Sequence, residues 1–157
     1  MIGGLNSAIN TVFSDFLAFD TRESEWIKGS EVASMTVERA QPACTSFQGR
    51  IVVSGGFNLR RDPDYRNKSV EAYDHASNSW SHMPDMIAPR VGHSLVSVKN
   101  KLFVVGGETK TFEVFDARSN NFINIKQPPK SFKFDLDKPE FHNAVSIGSR
   151  VVVFHKR

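Results

Sequence analysis

The sequence predicts an all-β fold built from repeated four-stranded units, and three observations carry that prediction. Phe, Val and Ile are abundant, with 13 Phe in 157 residues, a composition suited to strands. Three Gly-Gly pairs, Gly3-Gly4, Gly55-Gly56 and Gly106-Gly107, recur at spacings of 52 and 51 residues, where average glycine usage gives fewer than about one such pair. An aromatic-Asp pair follows each, and a second aromatic residue follows that Asp by six positions: Phe19-Asp20 with Trp26, Tyr73-Asp74 with Trp80, and Phe115-Asp116 with Phe122. A period near 50 marks a propeller or solenoid, not a single globular core.

In chain order, Met1-Ile2 read as the end of a second strand, followed by third and fourth strands around Asp15 to Phe19 and Trp26 to Lys28. A full unit runs from about Arg39 to Met83. Its first two strands carry Ser46-Phe47 and Ile51-Val52-Val53 around a tight turn at Gln48-Gly49, and its outer two carry Tyr73 and Trp80 around Ser77-Asn78. The next unit, from about Arg90 to Ile125, repeats this with Ser97-Val98, Leu102-Phe103-Val104, Phe115 and Phe122, turning at Lys99-Asn100 and Ser119-Asn120. The Asp of each aromatic pair is placed to bond the backbone of its own turn. The last unit offers only first and second strands, near Asn143 to Ile147 and Arg150 to His155, turning at Gly148-Ser149. The expected divisions are therefore 1–36, 37–86, 87–127 and 128–157.

Gly-Gly, Tyr-Asp and Trp in this register resemble the kelch repeat. The resemblance is strong over Arg39 to Met83 and Pro89 to Ile125 and partial at both ends. It implies a partial kelch β-propeller, with two complete four-stranded blades flanked by two half-blades. Four positions depart from the pattern: Phe19 and Phe115 replace tyrosine, Phe122 replaces tryptophan, and His155-Lys156 stand where a last Gly-Gly belongs. Losing the phenol and indole tips keeps the stacking and removes hydrogen bonds. Gly3, Gly4, Asp20, Trp26, Gly55, Gly56, Tyr73, Asp74, Trp80, Gly106, Gly107, Asp116 and Phe122 are expected to be architecture, since glycine admits close backbone approach and aromatic rings fill the wedge between blades.

Propellers close with four to eight blades, so three blade-equivalents lead us to expect a fragment of a longer protein or a truncated product. The alternative is self-association through open blade edges, one half-blade pairing with that of another copy.

Composition sets further bounds. Hydrophobic residues at 39% and charged residues at 24% exclude a disordered tail. A formal charge of +3, with basic residues dispersed among acids, argues against nucleic acid. No run approaches the roughly 18 apolar residues of a membrane span, and MIGGLNSAINTVF lacks the layout of a signal peptide. The single cysteine, Cys44, allows no internal disulfide, so a cytoplasmic location is expected. The sequon Asn67-Lys68-Ser69 is then a coincidence of spelling.

Function is expected on the turns at one rim. The longest loop, Phe57 to Ser69, carries Arg60, Arg61, Arg66 and Lys68 with Asp62 and Asp64, and Tyr65 as an aromatic anchor. Arg and Tyr are enriched at binding hot spots, and Arg holds carboxylates in bidentate fashion, so a protein partner or an acidic peptide fits. Arg39 and Arg90 precede first strands. The resemblance implies that they face a partner, and a blade-to-blade hydrogen bond is the equal alternative. The segment Lys126 to Glu140, with Pro128 and Pro129, reads as a linker-like loop.

His75, His82, His93, His142 and His155 lack ligand spacing, so no metal and no cofactor are expected. His93 and His142 share a repeat position, which suggests a structural role. Gly92-His93-Ser94 cannot pair base with nucleophile, because neighbours on a strand point to opposite faces. The resemblance implies a protein-interaction module similar to the propellers of kelch-like adaptors, which recruit substrates to cullin-based ubiquitin ligases or bind actin. Nothing in the chain matches the BTB and BACK portions of such adaptors. The other class weighed is a fragment of a kelch-type propeller enzyme, a sugar epimerase or an oxidase, which needs catalytic residues converging from most blades of a closed ring. With only Tyr65 and Tyr73 available, the crosslinked tyrosine and second tyrosine of a copper oxidase are not supplied.

Overall fold

A computed structural model describes residues 2–59, 65–109, 111–125 and 142–155. Fourteen strands run through these residues, with a single 3-10 turn at Gly29–Glu31. Strands β5 (Ala43–Phe47), β6 (Arg50–Ser54), β7 (Val70–Asp74) and β8 (Ser79–Met83) form one antiparallel sheet in chain order. Strands β9 (Ser94–Val98), β10 (Lys101–Val105), β11 (Phe112–Asp116) and β12 (Asn121–Ile125) form the second. Strands β13 (His142–Ile147) and β14 (Arg150–His155) make a two-stranded ladder. These sheets are two complete four-stranded blades and a further two-stranded ladder, the repeating units of a partial propeller.

Turn chemistry sets the hairpins. The β5–β6 and β9–β10 turns carry Gln48 and Lys99 at φ of 50° and 54°, the left-handed region that tight hairpins use. In the outer hairpins the Asp side chain receives turn amides, as in Ala76 N to Asp74 Oδ1 at 2.8 Å and Arg118 N to Asp116 Oδ1 at 3.1 Å.

The first blade differs from its sequence reading. The chain does not stop pairing at Gly3-Gly4: β1 (Ile2–Asn6) passes through them, with a register irregularity between Ile2 and Gly4, and pairs with β2 (Thr11–Phe16). The predicted third strand, Asp15 to Phe19, is broken at Leu17 into β2 and β3 (Ala18–Asp20), and the fourth, β4, is Glu25–Ile27. The reason is the short connection after Gly-Gly. A turn at residues 7–10 folds the chain straight back, where the next repeat inserts the long loop.

The core lies between sheets. Ala43, Phe47, Val52, Val70 and Ala72 on one face of the second blade meet Leu95, Leu102, Val104, Phe115 and Phe122 of the third. The closest backbone approaches between sheets are made by the first strands, β5 beside β9 and β9 beside β13. Fully burying side chains of this size contributes about 1.5–3 kcal/mol each, so this seam holds the second and third blades together.

Glycine is required where the linker between blades crosses the second strand. Gly55 has φ 61°, and a Cβ there would stand 2.6 Å from the Arg90 carbonyl and 2.5 Å from His93 Cε1. Its neighbour Gly56 donates its N–H to that same Arg90 carbonyl at 2.8 Å, as Gly4 does to Arg39 at 3.1 Å. One glycine clears the space; the other makes the bond.

Candidate functional site

Arg39 and Arg90 lie inside the protein, both at 0% exposure. Arg39 donates from Nη1 to the carbonyls of Gly55 (2.9 Å) and Ser69 (3.1 Å), and from Nη2 to Ser69 Oγ (2.9 Å) and Glu71 Oε2 (2.7 Å). Arg90 repeats the design, donating to the Gly106 carbonyl (2.5 Å), Thr111 Oγ1 (2.8 Å) and Glu113 Oε1 (2.8 Å). Each guanidinium therefore ties the end of a second strand to the third strand, and neither presents donors to a partner. Burial excludes the expected partner-facing role for both arginines, and their side chains clamp strands of their own blades. Burial pulls the Arg90 pKa down while the Glu113 carboxylate pulls it back up, and guanidinium stays charged in proteins.

The acids that complete these clamps, Glu71 and Glu113, were not anticipated. Each is 0% exposed and also caps the incoming linker: Thr36 donates its N–H (2.8 Å) and its hydroxyl to Glu71 Oε1, while Ile87 N and Ala88 N donate to Glu113 at 2.7 and 3.1 Å. The sequence held a signal in the acid set mid-strand within VEAYD and FEVFD.

His93 does not act with Ser94. Its Nε2 lies 2.8 Å from Ser54 Oγ in the preceding blade, and Nδ1 is buried with no hydrogen-bond partner. Burial, then the charges of Arg90 and Arg39, push its pKa down to about 3, so the ring is neutral. Ser54 is itself 0% exposed, which withholds the pair from any substrate.

The rim loop has a rigid base. Ala40 and Phe57 exchange both backbone hydrogen bonds at 2.9 and 2.8 Å, and Phe57 bridges onward to Arg66. Asn58 N donates to the Tyr65 carbonyl and Asn67 N to the Gly56 carbonyl, both at 2.8 Å. On this base Tyr65 stands 45% exposed, its ring edge-on to Phe57 with centroids 6.2 Å apart. Leu59 is exposed beside it, Arg66 is half-buried and Lys68 pairs with Asp85 at 3.5 Å. Arg60, Arg61, Asp62 and Asp64 lie outside the described residues, as does Lys126 to Glu140. Tyr65 and Arg66 are chain neighbours at the rim, whereas Arg39 and Arg90 are buried beneath it, Arg90 N donating to the Asn67 carbonyl at 3.1 Å. The sequon side chain of Asn67 is only 3% exposed, with Oδ1 accepting from Ser69 N at 2.8 Å.

The aromatic repeat residues of the two complete blades lie between blades. Tyr73 and Trp80 pack edge-on against Phe16 at 5.1 and 5.7 Å, and Phe115 packs against Phe47 at 6.2 Å. Among the described residues no three His, Cys, Asp or Glu side chains sit together to hold a metal ion, and no helix is long and apolar enough to cross a membrane.

The Kelch motif family model matches residues 38–87 and 89–129. Similar proteins include an F-box/kelch-repeat protein of Arabidopsis thaliana, 30% identical over 73% of this chain and 30% of that protein. The spermatocyte protein spe-26 of Caenorhabditis elegans is 37% identical over 57% of this chain and 14% of its own length. Kelch repeat and BTB domain-containing protein 1 of camelpox virus is 26% identical over 91% of this chain and 28% of its own. The chain spans less than a third of the length of each of these relatives.

Proposed function

Because this chain belongs to the kelch-repeat family, we propose that its role as a protein-interaction module is exerted at the rim of residues 57–69, which grips an acidic segment of a partner protein. The observation that carries this reading is Tyr65, a large aromatic held at the surface on a hydrogen-bonded base. An aromatic fixed in this way loses little entropy on binding and serves as an anchor. Arg66 beside it, with Arg60 and Arg61 nearby in sequence, supplies the fork that pairs with Asp or Glu carboxylates. The reading assigns the chain no catalytic step.

The resemblance to kelch-like adaptors supports a finer reading, in which the acidic segment belongs to a ubiquitination substrate. Relatives whose names carry BTB and F-box support this over actin binding, and both roles fit a cytoplasmic protein. Within such an adaptor these 157 residues choose the substrate and leave ligase binding to other portions.

Fluorescence anisotropy with labelled acidic and neutral peptides tests the rim. Acidic peptides should bind more tightly, weaken as salt rises, and lose about tenfold in affinity with Tyr65→Ala or with Arg60→Ala and Arg61→Ala combined. Equal affinity for neutral peptides, or indifference to all three changes, would overturn the reading. Co-sedimentation with filamentous actin, or direct capture of a cullin by these 157 residues, would each overturn the adaptor form of it.

A further inference from the structure

The two complete blades meet their incoming linkers with the same residues in place, and only the later one leaves polar groups unused. Counted back from the clamps at Arg39 and Arg90, Ala33 and Pro84 hold the same position in the two linkers, as Asn78 and Asn120 do in the two outer turns. Between the first and second blades this set is closed. Asn78 Oδ1 accepts from the Tyr73 hydroxyl at 2.8 Å and from Ala33 N at 2.9 Å, and the Ala33 carbonyl accepts from Trp80 Nε1 at 2.7 Å.

Between the second and third blades three substitutions open it. Pro84 has no N–H to give, Phe115 has no hydroxyl and Phe122 has no indole N–H. The linker is shorter as well: Arg39 follows Trp26 by 13 residues and Arg90 follows Trp80 by 10, so the 3-10 turn that brings the Glu31 carbonyl to Asn78 Nδ2 at 3.1 Å has no counterpart. The Asn120 side-chain amide and the Pro84 carbonyl accordingly make no hydrogen bond among the described residues. Both residues line a groove of about 280 Å³ with Phe47, Met83 and Phe115. Arg50 lines it too, half-buried and without an ion pair among the described residues, and no Asp or Glu borders it.

We propose that this groove binds a tyrosine side chain of a partner protein, set beside an acidic residue. The precedent lies in the same molecule, where Asn78 holds the Tyr73 hydroxyl. A phenol hydroxyl both donates and accepts, which matches the carbonyl and NH₂ of Asn120, and the Pro84 carbonyl offers a further acceptor. Its ring meets the apolar wall of Phe47, Met83 and Phe115. The groove falls below the roughly 300–1,000 Å³ of pockets that enclose a whole small ligand, so it suits one inserted side chain. Arg50 then pairs with the neighbouring carboxylate, the complement of a groove that holds a cation and no acid.

This site is distinct from the rim of residues 57–69. It is bordered by the β5–β6 and β11–β12 turns, whereas the rim loop joins β6 to β7 and leaves the sheet at its other end.

Fluorescence anisotropy of the 157-residue chain with labelled Ser-Glu-Tyr-Ala-Ser, Ser-Glu-Phe-Ala-Ser and Ser-Gln-Tyr-Ala-Ser separates the contacts. Replacing Tyr by Phe should weaken binding about fivefold, the worth of one hydrogen bond, and replacing Glu by Gln about two- to fivefold. Asn120→Gly keeps a residue suited to the backbone φ of 52° there, and Phe115→Tyr brings the chain's own hydroxyl to Asn120. Each should erase the preference for Tyr over Phe with circular dichroism unchanged. Arg50→Gln should erase the preference for Glu over Gln, and Tyr65→Ala should leave both preferences in place. In ¹H–¹⁵N spectra the Asn120 side-chain amide should shift with the Tyr peptide and stay still with the Phe peptide. Equal affinity for those two peptides, a Tyr preference that survives both Asn120→Gly and Phe115→Tyr, or one that disappears with Tyr65→Ala would overturn the proposal. None of these results bears on the rim reading, which rests on Tyr65, Arg60 and Arg61.

Discussion

The junction between the first and second blades and that between the second and third use the same aromatic device with different chemistry. At the first, Tyr73 donates its hydroxyl to Asn78 Oδ1 at 2.8 Å, and Trp80 Nε1 donates to the Ala33 carbonyl at 2.7 Å. Asn78 continues the network, accepting from Ala33 N at 2.9 Å and donating to the Glu31 carbonyl at 3.1 Å. At the second, Phe115 and Phe122 stack at a similar 5.3 Å but have no polar tips. A groove of about 280 Å³ opens there, bordered by Phe47, Met83, Phe115 and Asn120. The aromatic pair therefore has two separable roles. Filling the wedge needs only rings, whereas fastening the incoming linker needs the phenol and the indole.

The Arg–Glu clamp is common to both junctions, and breaking it should have the largest effect. Arg39→Ala and Arg90→Ala each strand a buried carboxylate, and removing one partner of a buried pair costs about 3–5 kcal/mol. Urea denaturation should register losses of that size at both sites. A much smaller loss at either would mean that the clamps are not equivalent.

Acid should come next and separate the junctions. His93 spans only the second, and the corresponding residue at the first is Pro42. The folded-state pKa near 3 lies below the unfolded value near 6.5, so the unfolded chain takes up the extra proton. The stability due to a neutral His93 is complete above about pH 6.5 and declines as pH falls toward 3, by up to ~1.4 kcal/mol per unit. Equilibrium unfolding between pH 7 and pH 4.5 should show this slope, and His93→Leu should flatten it.

Smaller changes should interconvert the two chemistries. Tyr73→Phe with Trp80→Phe makes the first junction like the second, and each lost hydrogen bond costs about 1 kcal/mol. Amide exchange at Ala33 should accelerate while exchange within β5 and β6 stays slow. The reverse change, Phe115→Tyr, puts a hydroxyl within reach of Asn120, which holds the repeat position of Asn78. A gain of up to about 1 kcal/mol in thermal or urea unfolding would sharpen the comparison.

The residues that announce the blades in the sequence are those with few substitutes. Gly55 is legible because no side chain fits under the Arg90 carbonyl, and Asp74 because its carboxylate must meet its own turn. Arg39 and Arg90 were legible as repeated and not as buried, because the partners that draw them inward lie 32 and 23 residues away on the third strand. A charge before a strand reads as surface until its counter-charge is found, and Glu71 and Glu113 sit in the middle of apolar strands. The break at Leu17 had the weakest signal. The two full repeats place Glu at that position, and the short turn after Asn6 leaves the strand no long loop in which to recover its register.

Glycine at the inner crossing and aromatic rings at the outer one also set the curvature of the array. With Gly55 and Gly56 admitting the linker to backbone contact, adjoining sheets converge at their first strands; with Tyr73 and Trp80, or Phe115 and Phe122, between the outer strands, they diverge. The angle per blade is thus a ratio of two thicknesses, each fixed by a few side chains. Ala at Gly55 would thicken the inner end, and Leu at Phe122 would thin the outer one. Either change flattens the arc, and a flatter arc needs more blades to come full circle.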